Sequence, residues 1–136
     1  MILSYVTFSL VSGILFGVMD GLLNGNPLGT RLLAAYKPIA RTAINIPAGV
    51  LIDVAYGFIM AAVFLLLYPS LPGASGALKG LSFGLLAWFF RVLMNAASQW
   101  VMFKLPASTL LYTAVGGLVE MLVIGLLYGL VFRPPS

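Results

Sequence analysis

Three carboxylates and one guanidinium stand inside stretches that are otherwise apolar: Asp20, Asp53, Glu120 and Arg91. These residue types can form an ion pair, bind a cation or hold a proton. Glu120 shows the pattern most sharply, alone in GGLVEMLVIGLLYG, Gly116 to Gly129. Asn95 and Gln99 follow Arg91 at four-residue steps, so on a helix they share its stripe and could complete its hydrogen bonding. The chain has no histidine and no cysteine. That removes the commonest metal ligand and general base, together with disulfides and thiolate chemistry. Most zinc, haem and triad chemistry is excluded by this inventory. No metal site and no cofactor is expected, and the chain reads as a non-enzyme. The segment GALKG around Lys79 lacks the other elements of a phosphate loop.

The elements that must position these groups are membrane spans. Of 136 residues, 62% are hydrophobic and only 7% charged, against roughly a quarter charged in soluble domains. A span needs about 20 mostly apolar residues, and four stretches qualify: 2–23, 44–68, 77–102 and 107–132. NGNPLG, PSLPGASG and KLPAS read as the turns and loops between elements. The N-terminus has no basic region and no small-residue cleavage site after its apolar run, which predicts a retained first span. The fold expected is an all-α integral membrane protein, residues 1–136 forming one compact bundle of four transmembrane helices.

The net charge of +4 comes from seven scattered basic residues. They mark topology rather than a nucleic-acid footprint, which would cluster. Arg31, Lys37, Arg41 and Lys104 lie on one side, Lys79 and Arg133 on the other. This puts the first and third connections in the cytoplasm and both termini outside, in a bacterial or archaeal cytoplasmic membrane. Residues 31–45 are too polar to span. Leu32, Leu33, Tyr36, Ile39, Ala40, Ala43 and Ile44 fall on one helical face, and Arg31, Lys37 and Arg41 on the other. That is a short in-plane amphipathic segment with its cations offered to lipid headgroups. Pro38 is expected to kink or restart it.

Small residues at four-residue steps let helices approach closely in lipid. Span one carries Ser9, Gly13, Gly17 and Gly21; span three carries Gly76, Gly80 and Gly84; span four carries Gly125 and Gly129. Asp20 lies near the azimuth of Gly13, and Arg91 near that of Gly84, so both turn toward neighbouring helices. Asp53 follows Gly49, and Glu120 follows Gly116, by one turn. Packing within the chain is the first reading of these stripes and dimerisation the second; the Gly125/Gly129 face points away from Glu120, where an interface towards another subunit is one use.

At about 1.5 Å per residue, Glu120 and Arg91 both fall near mid-membrane, with Asp53 and Asp20 shallower. They are the expected ion pair. Three acids against one arginine leave carboxylates that must find another partner, bind a cation or carry a proton. Asp53, with no cation at its own depth, is the candidate for reversible proton uptake. An offset of 67 residues places GILFGVM over GLSFGLL and GVLID over GGLVE, aligning Asp53 with Glu120. Chance in a Leu-, Gly- and Ala-rich chain is one account of it. The other is two tandem parallel hairpins about an axis along the membrane normal.

Two function classes fit. One is an oligomeric carrier or channel moving a proton, ion or small solute past the intramembrane carboxylates. The other is a non-catalytic accessory subunit of a larger membrane complex, in which the charges fix helix packing. The expected partners are the lipid bilayer and either copies of the chain or other membrane subunits, not nucleic acid.

Overall fold

Four helices are long and apolar enough to cross a bilayer: Ile2–Gly25, Ile46–Ser70, Gly76–Met102 and Ala107–Val131. The computed structural model describes residues 2–39 and 45–132, and every regular element among them is helical. In chain order these are α1 (Ile2–Gly25), α2 (Pro27–Leu32), a 3₁₀ turn (Leu33–Ile39), α3 (Ile46–Leu67), α4 (Gly76–Trp88), a π-helical turn (Phe89–Leu93), α5 (Met94–Met102) and α6 (Ala107–Val131). A second 3₁₀ turn, Tyr68–Ser70, prolongs α3. The α4, π and α5 segments run on as one rod.

Caps explain several of the starts. Asn45 accepts from the Ala48 amide at 3.1 Å, with Pro47 in the first turn of α3. Ser75 does the same for Leu78 at the start of α4. Asn26 overturns the reading of NGNPLG as a turn or loop. Its Oδ1 accepts from Gly29 N at 2.8 Å while its Nδ2 donates to the Leu22 and Leu23 carbonyls. One side chain thus closes α1 and opens α2, and Pro27, which has no amide hydrogen to lose, suits the first helical position. The surface segment therefore begins at Pro27 rather than Arg31. Its α-helix stops at Leu32, and Pro38 lies in the 3₁₀ turn that follows. Arg31 and Lys37 are exposed; Arg41 and the other residues of 40–44 lie outside the described residues.

The α1 helix packs along α3, and α4 along α6, so sequence neighbours form antiparallel hairpins. The second hairpin closes on glycine. A methyl group added to Gly80 would overlap the Gly125 carbonyl, and one on Gly129 would overlap that of Gly76. On Gly84 it would stand 2.6 Å from the Met121 carbonyl oxygen. The Gly125/Gly129 face is thus covered by span three of the same chain, which takes up the surface that an interface towards another subunit would have used. Steric register decides this: the glycines of the two helices sit opposite one another, and backbone meets backbone.

The first hairpin has a sparser seam. A methyl on Gly13 would lie 2.8 Å from Val54 Cα, and one on Gly57 would overlap the Ser9 carbonyl. Gly17 faces only Asp53 Oδ2, at 3.2 Å from such a methyl. Gly21 meets nothing within 4 Å and is exposed. It does not join the packing stripe, because α1 extends past the seam there.

The face between the hairpins has two unlike halves. Towards the second connection it is aromatic: Phe64 packs edge-on against Phe83 and tilted against Tyr128 and Phe132, with Met121 and Ile124 buried beside them. The Tyr128 hydroxyl donates to Ser12 Oγ at 2.8 Å, with the Gly57 carbonyl 3.2 Å away, and Ser12 in turn donates to Ser9 O. Lys79 ties the connection down by donating to the Tyr68 and Leu71 carbonyls at 2.9 and 2.8 Å. A cation at these terminal carbonyls of α3 is well placed against the helix dipole. The other half, towards the first and third connections, is polar.

Candidate functional site

The polar half contains a cavity of about 320 Å³, lined by Asp20 and Asn24 of α1, Tyr56 of α3, Arg91, Asn95, Glu120 and their neighbours. At about 30 Å³ per water, that is room for roughly ten waters. Four elements deliver the charges. The last turns of α1 supply Asp20, and α3 supplies Asp53 and Tyr56. The π turn supplies Arg91, and the middle of α6 supplies Glu120.

Arg91 sits in the five residues where span three departs from α-helical winding. Met94 N donates to Phe89 O, an i to i−5 bond. A π turn inserts an extra residue into the helical path and re-aims the side chains around it. The guanidinium lies 4.7 Å from the centre of the Tyr56 ring and 5.4 Å from that of Phe16, both within cation–π range. Its Nη1 stands 3.9 Å from Glu120 Oε1 and the same distance from Met121 Sδ.

The 3.9 Å separation is well beyond a charge-assisted hydrogen bond, which runs about 2.7–2.9 Å. Glu120 is 3% exposed, yet among the described residues its Oε1 has no hydrogen-bond partner. The Arg91 side chain, 29% exposed, thus stands between the rings of the first hairpin and the acid of the second.

Asp20, Arg91, Asn95 and Glu120, all anticipated from sequence, meet around one cavity. Asp53 stands one shell away, against Gly17, and within electrostatic reach of Glu120 together with Asp20 and Arg91. It is half-buried, so the more enclosed acid is Glu120. Gln99 leaves the group: its Oε1 accepts from the Tyr36 hydroxyl at 2.6 Å, tying the surface segment to α5. Burial pushes the Tyr36 hydroxyl above its ordinary 10.0, which keeps it a donor. That diversion has a simple cause, since Gln99 lies two helical turns beyond Arg91 and at the level of the surface segment.

Sequence reasoning missed Tyr56, Phe16, Asn24 and Tyr112. Tyr56 follows Asp53 by three residues and Asn24 follows Asp20 by four, so helical spacing carried a signal for both. Tyr112 carried none. It reaches across the fold to donate to the Leu23 carbonyl, and it accepts from Asn26 Nδ2 at 2.8 Å. These bonds hold the end of α1 on α6 at the cavity rim. Gly29 permits this, because a methyl there would overlap the Leu23 carbonyl.

Chemically, the cluster is an acceptor of positive charge. Three carboxylates and one guanidinium, all ionised, would sum to −2 in a poorly solvated site. Such an excess is costly until protons or cations join it. The described residues include no group of three or more Asp or Glu side chains arranged to hold a metal ion. No family model, curated protein or solved structure matches this chain.

Proposed function

We propose that the chain is a small polytopic membrane protein that translocates a proton, ion or small solute through the cavity between its hairpins, and that it is not an enzyme. The observation that carries this reading is Glu120: buried, with Oε1 lacking a partner, and lining a polar cavity beside Asp20 and Arg91. A group fixing only helix register would be expected to close its hydrogen bonds.

In this reading the apolar helices insert as a bundle, the glycine seams are small-xxx-small contacts in lipid, and Arg91 and Glu120 are a loose intramembrane pair. Loop charge favours the cavity mouth on the cytoplasmic side and both termini outside. The aromatic half, with Phe64 and Tyr128 fully buried, blocks the rest of the path within one chain. A rearrangement of the hairpins or a second copy must open it, and the second of these makes the working unit an oligomer in the lipid bilayer.

The test is flux in proteoliposomes. Wild type should carry flux, and Glu120→Gln should abolish it while the protein still purifies folded; Asp53→Asn should slow it less. Unchanged flux in Glu120→Gln, with a stable hetero-complex on purification in mild detergent, would assign the chain to a larger assembly as an accessory subunit instead.

A further inference from the structure

We propose that Arg91 is the resident counter-cation of this site, and that the site's ligand is a single positive charge, a proton or an alkali cation, which takes its place beside Glu120. The inference rests on the translocation reading and narrows its substrate.

The geometry points to two stations for one guanidinium. In the structure it lies against Tyr56 and Phe16, 3.9 Å from Glu120 Oε1. Closing to a charge-assisted hydrogen bond takes only ~1 Å of travel. Among the described residues its hydrogen-bonding contact is the weak acceptor Met121 Sδ, so no strong bond to oxygen has to break for it to move. The π turn at its base supplies a local departure from rigid α-helix, as such turns often do at functional sites. The vacated space beside Glu120 opens on the cavity, where a ligand can arrive with its water.

The ligand's charge follows from the neighbours. Asp20 comes from α1, Asp53 and Tyr56 from α3, Arg91 from the π turn, and Tyr112 from α6. The only cation among these is Arg91, so an anion would meet three carboxylates. For a proton, cavity water delivers H⁺ to the Glu120 carboxylate, forming the neutral acid. The guanidinium keeps its own charge and stays on the rings. On release the proton returns to water, and Arg91 closes on the carboxylate. An alkali cation follows the same sequence by coordination, with no covalent bond formed.

This exchange predicts shifts of opposite sign. In phosphatidylcholine vesicles, uptake is followed under a proton gradient with an internal pH dye, and separately under sodium and potassium gradients with internal sodium- and potassium-selective dyes. The arm that shows uptake identifies the ligand. Arg91→Gln removes the competitor, so half-maximal uptake should occur at about tenfold lower ligand concentration, about one pH unit higher if the ligand is the proton. Tyr56→Leu removes the resting place, so Arg91 competes harder and half-saturation should rise. Tyr56→Phe, which keeps the ring, should match wild type, and Arg91→Lys should lie between wild type and Arg91→Gln.

A purely structural tie would lower the maximal rate in Arg91→Gln and Tyr56→Leu and leave half-saturation in place; that result overturns the exchange. Should Arg91→Gln fail to fold, the sign of the Tyr56→Leu shift decides alone. Flux abolished by Glu120→Gln but unshifted by both other variants sinks this inference and spares the translocation reading. Absence of uptake by wild type under every gradient sinks both.

Discussion

The two hairpins use the same residue types for different ends. In the second, Gly76, Gly80 and Gly84 meet Gly125, Gly129 and the Met121 backbone over three turns, and α6 buries ten of its residues. In the first, the closest backbone approach is confined to Gly13 and Gly57, and α3 buries only Gly57, Ala61 and Phe64. The pairs that align at the 67-residue offset diverge accordingly. Phe16 and Phe83 are both buried in the core, but Phe83 packs on Phe64 and Tyr128, whereas Phe16 faces Tyr56 and Arg91. Glu120 is enclosed, and Asp53 is half-buried. Close backbone approach makes the second hairpin a scaffold; the looser first hairpin presents rings and acids to it. The site lies on the boundary between them, with Arg91 between the rings of the first hairpin and the acid of the second.

Substitutions can break or sharpen this contrast. The largest effect is expected from Gly80→Val in the dense seam, where backbone opposes backbone and neither helix can yield. It should cost about 3 kcal/mol or more, read as a lowered thermal midpoint or failure to fold in detergent. Gly57→Ala tests the sparse seam with a single methyl and should cost about 1–3 kcal/mol by the same measurement. A cost equal to that of Gly80→Val would erase the distinction between the hairpins.

Smaller effects probe the boundary and the edge. Tyr128→Phe keeps the aromatic packing and deletes one buried donor to Ser12, so it should cost about 1 kcal/mol. A neutral result would mean that the aromatic contacts alone join the hairpins. Gly21→Ala has open space around it on α1 and should stabilise by about 0.5–1 kcal/mol through helix propensity. A loss there would place Gly21 back in a packing stripe.

Much of this was legible in the chain because its signals are local. Hydropathy over about 20 residues marked the spans, and the observed helices begin and end within a few residues of those limits. Helical azimuth turned Asp20, Arg91 and Glu120 inward, and they share a cavity. The misses are equally physical. Azimuth says which way a glycine faces but not which helix it meets, so the partner of Gly125 and Gly129, within the chain or in another subunit, stayed open. Asn26 before Pro27 held a capping signal that the surrounding turn residues masked. Gln99 was claimed by Tyr36, some 63 positions away in sequence.

The sequence by itself determined the all-helical class, the lengths of its apolar helices, the lack of thiol and imidazole side chains, and the excess of acids over bases inside its apolar stretches. Each follows from composition or from a repeat of a few residues along one helix. Only the tertiary structure decided that glycine meets glycine in the second hairpin, that a π turn carries Arg91, and that the guanidinium rests on Tyr56 and Phe16 while Glu120 keeps an unbonded oxygen. Those depend on which surfaces pack and on separations of about an ångström, set by steric fit across the fold rather than by any stretch of the chain.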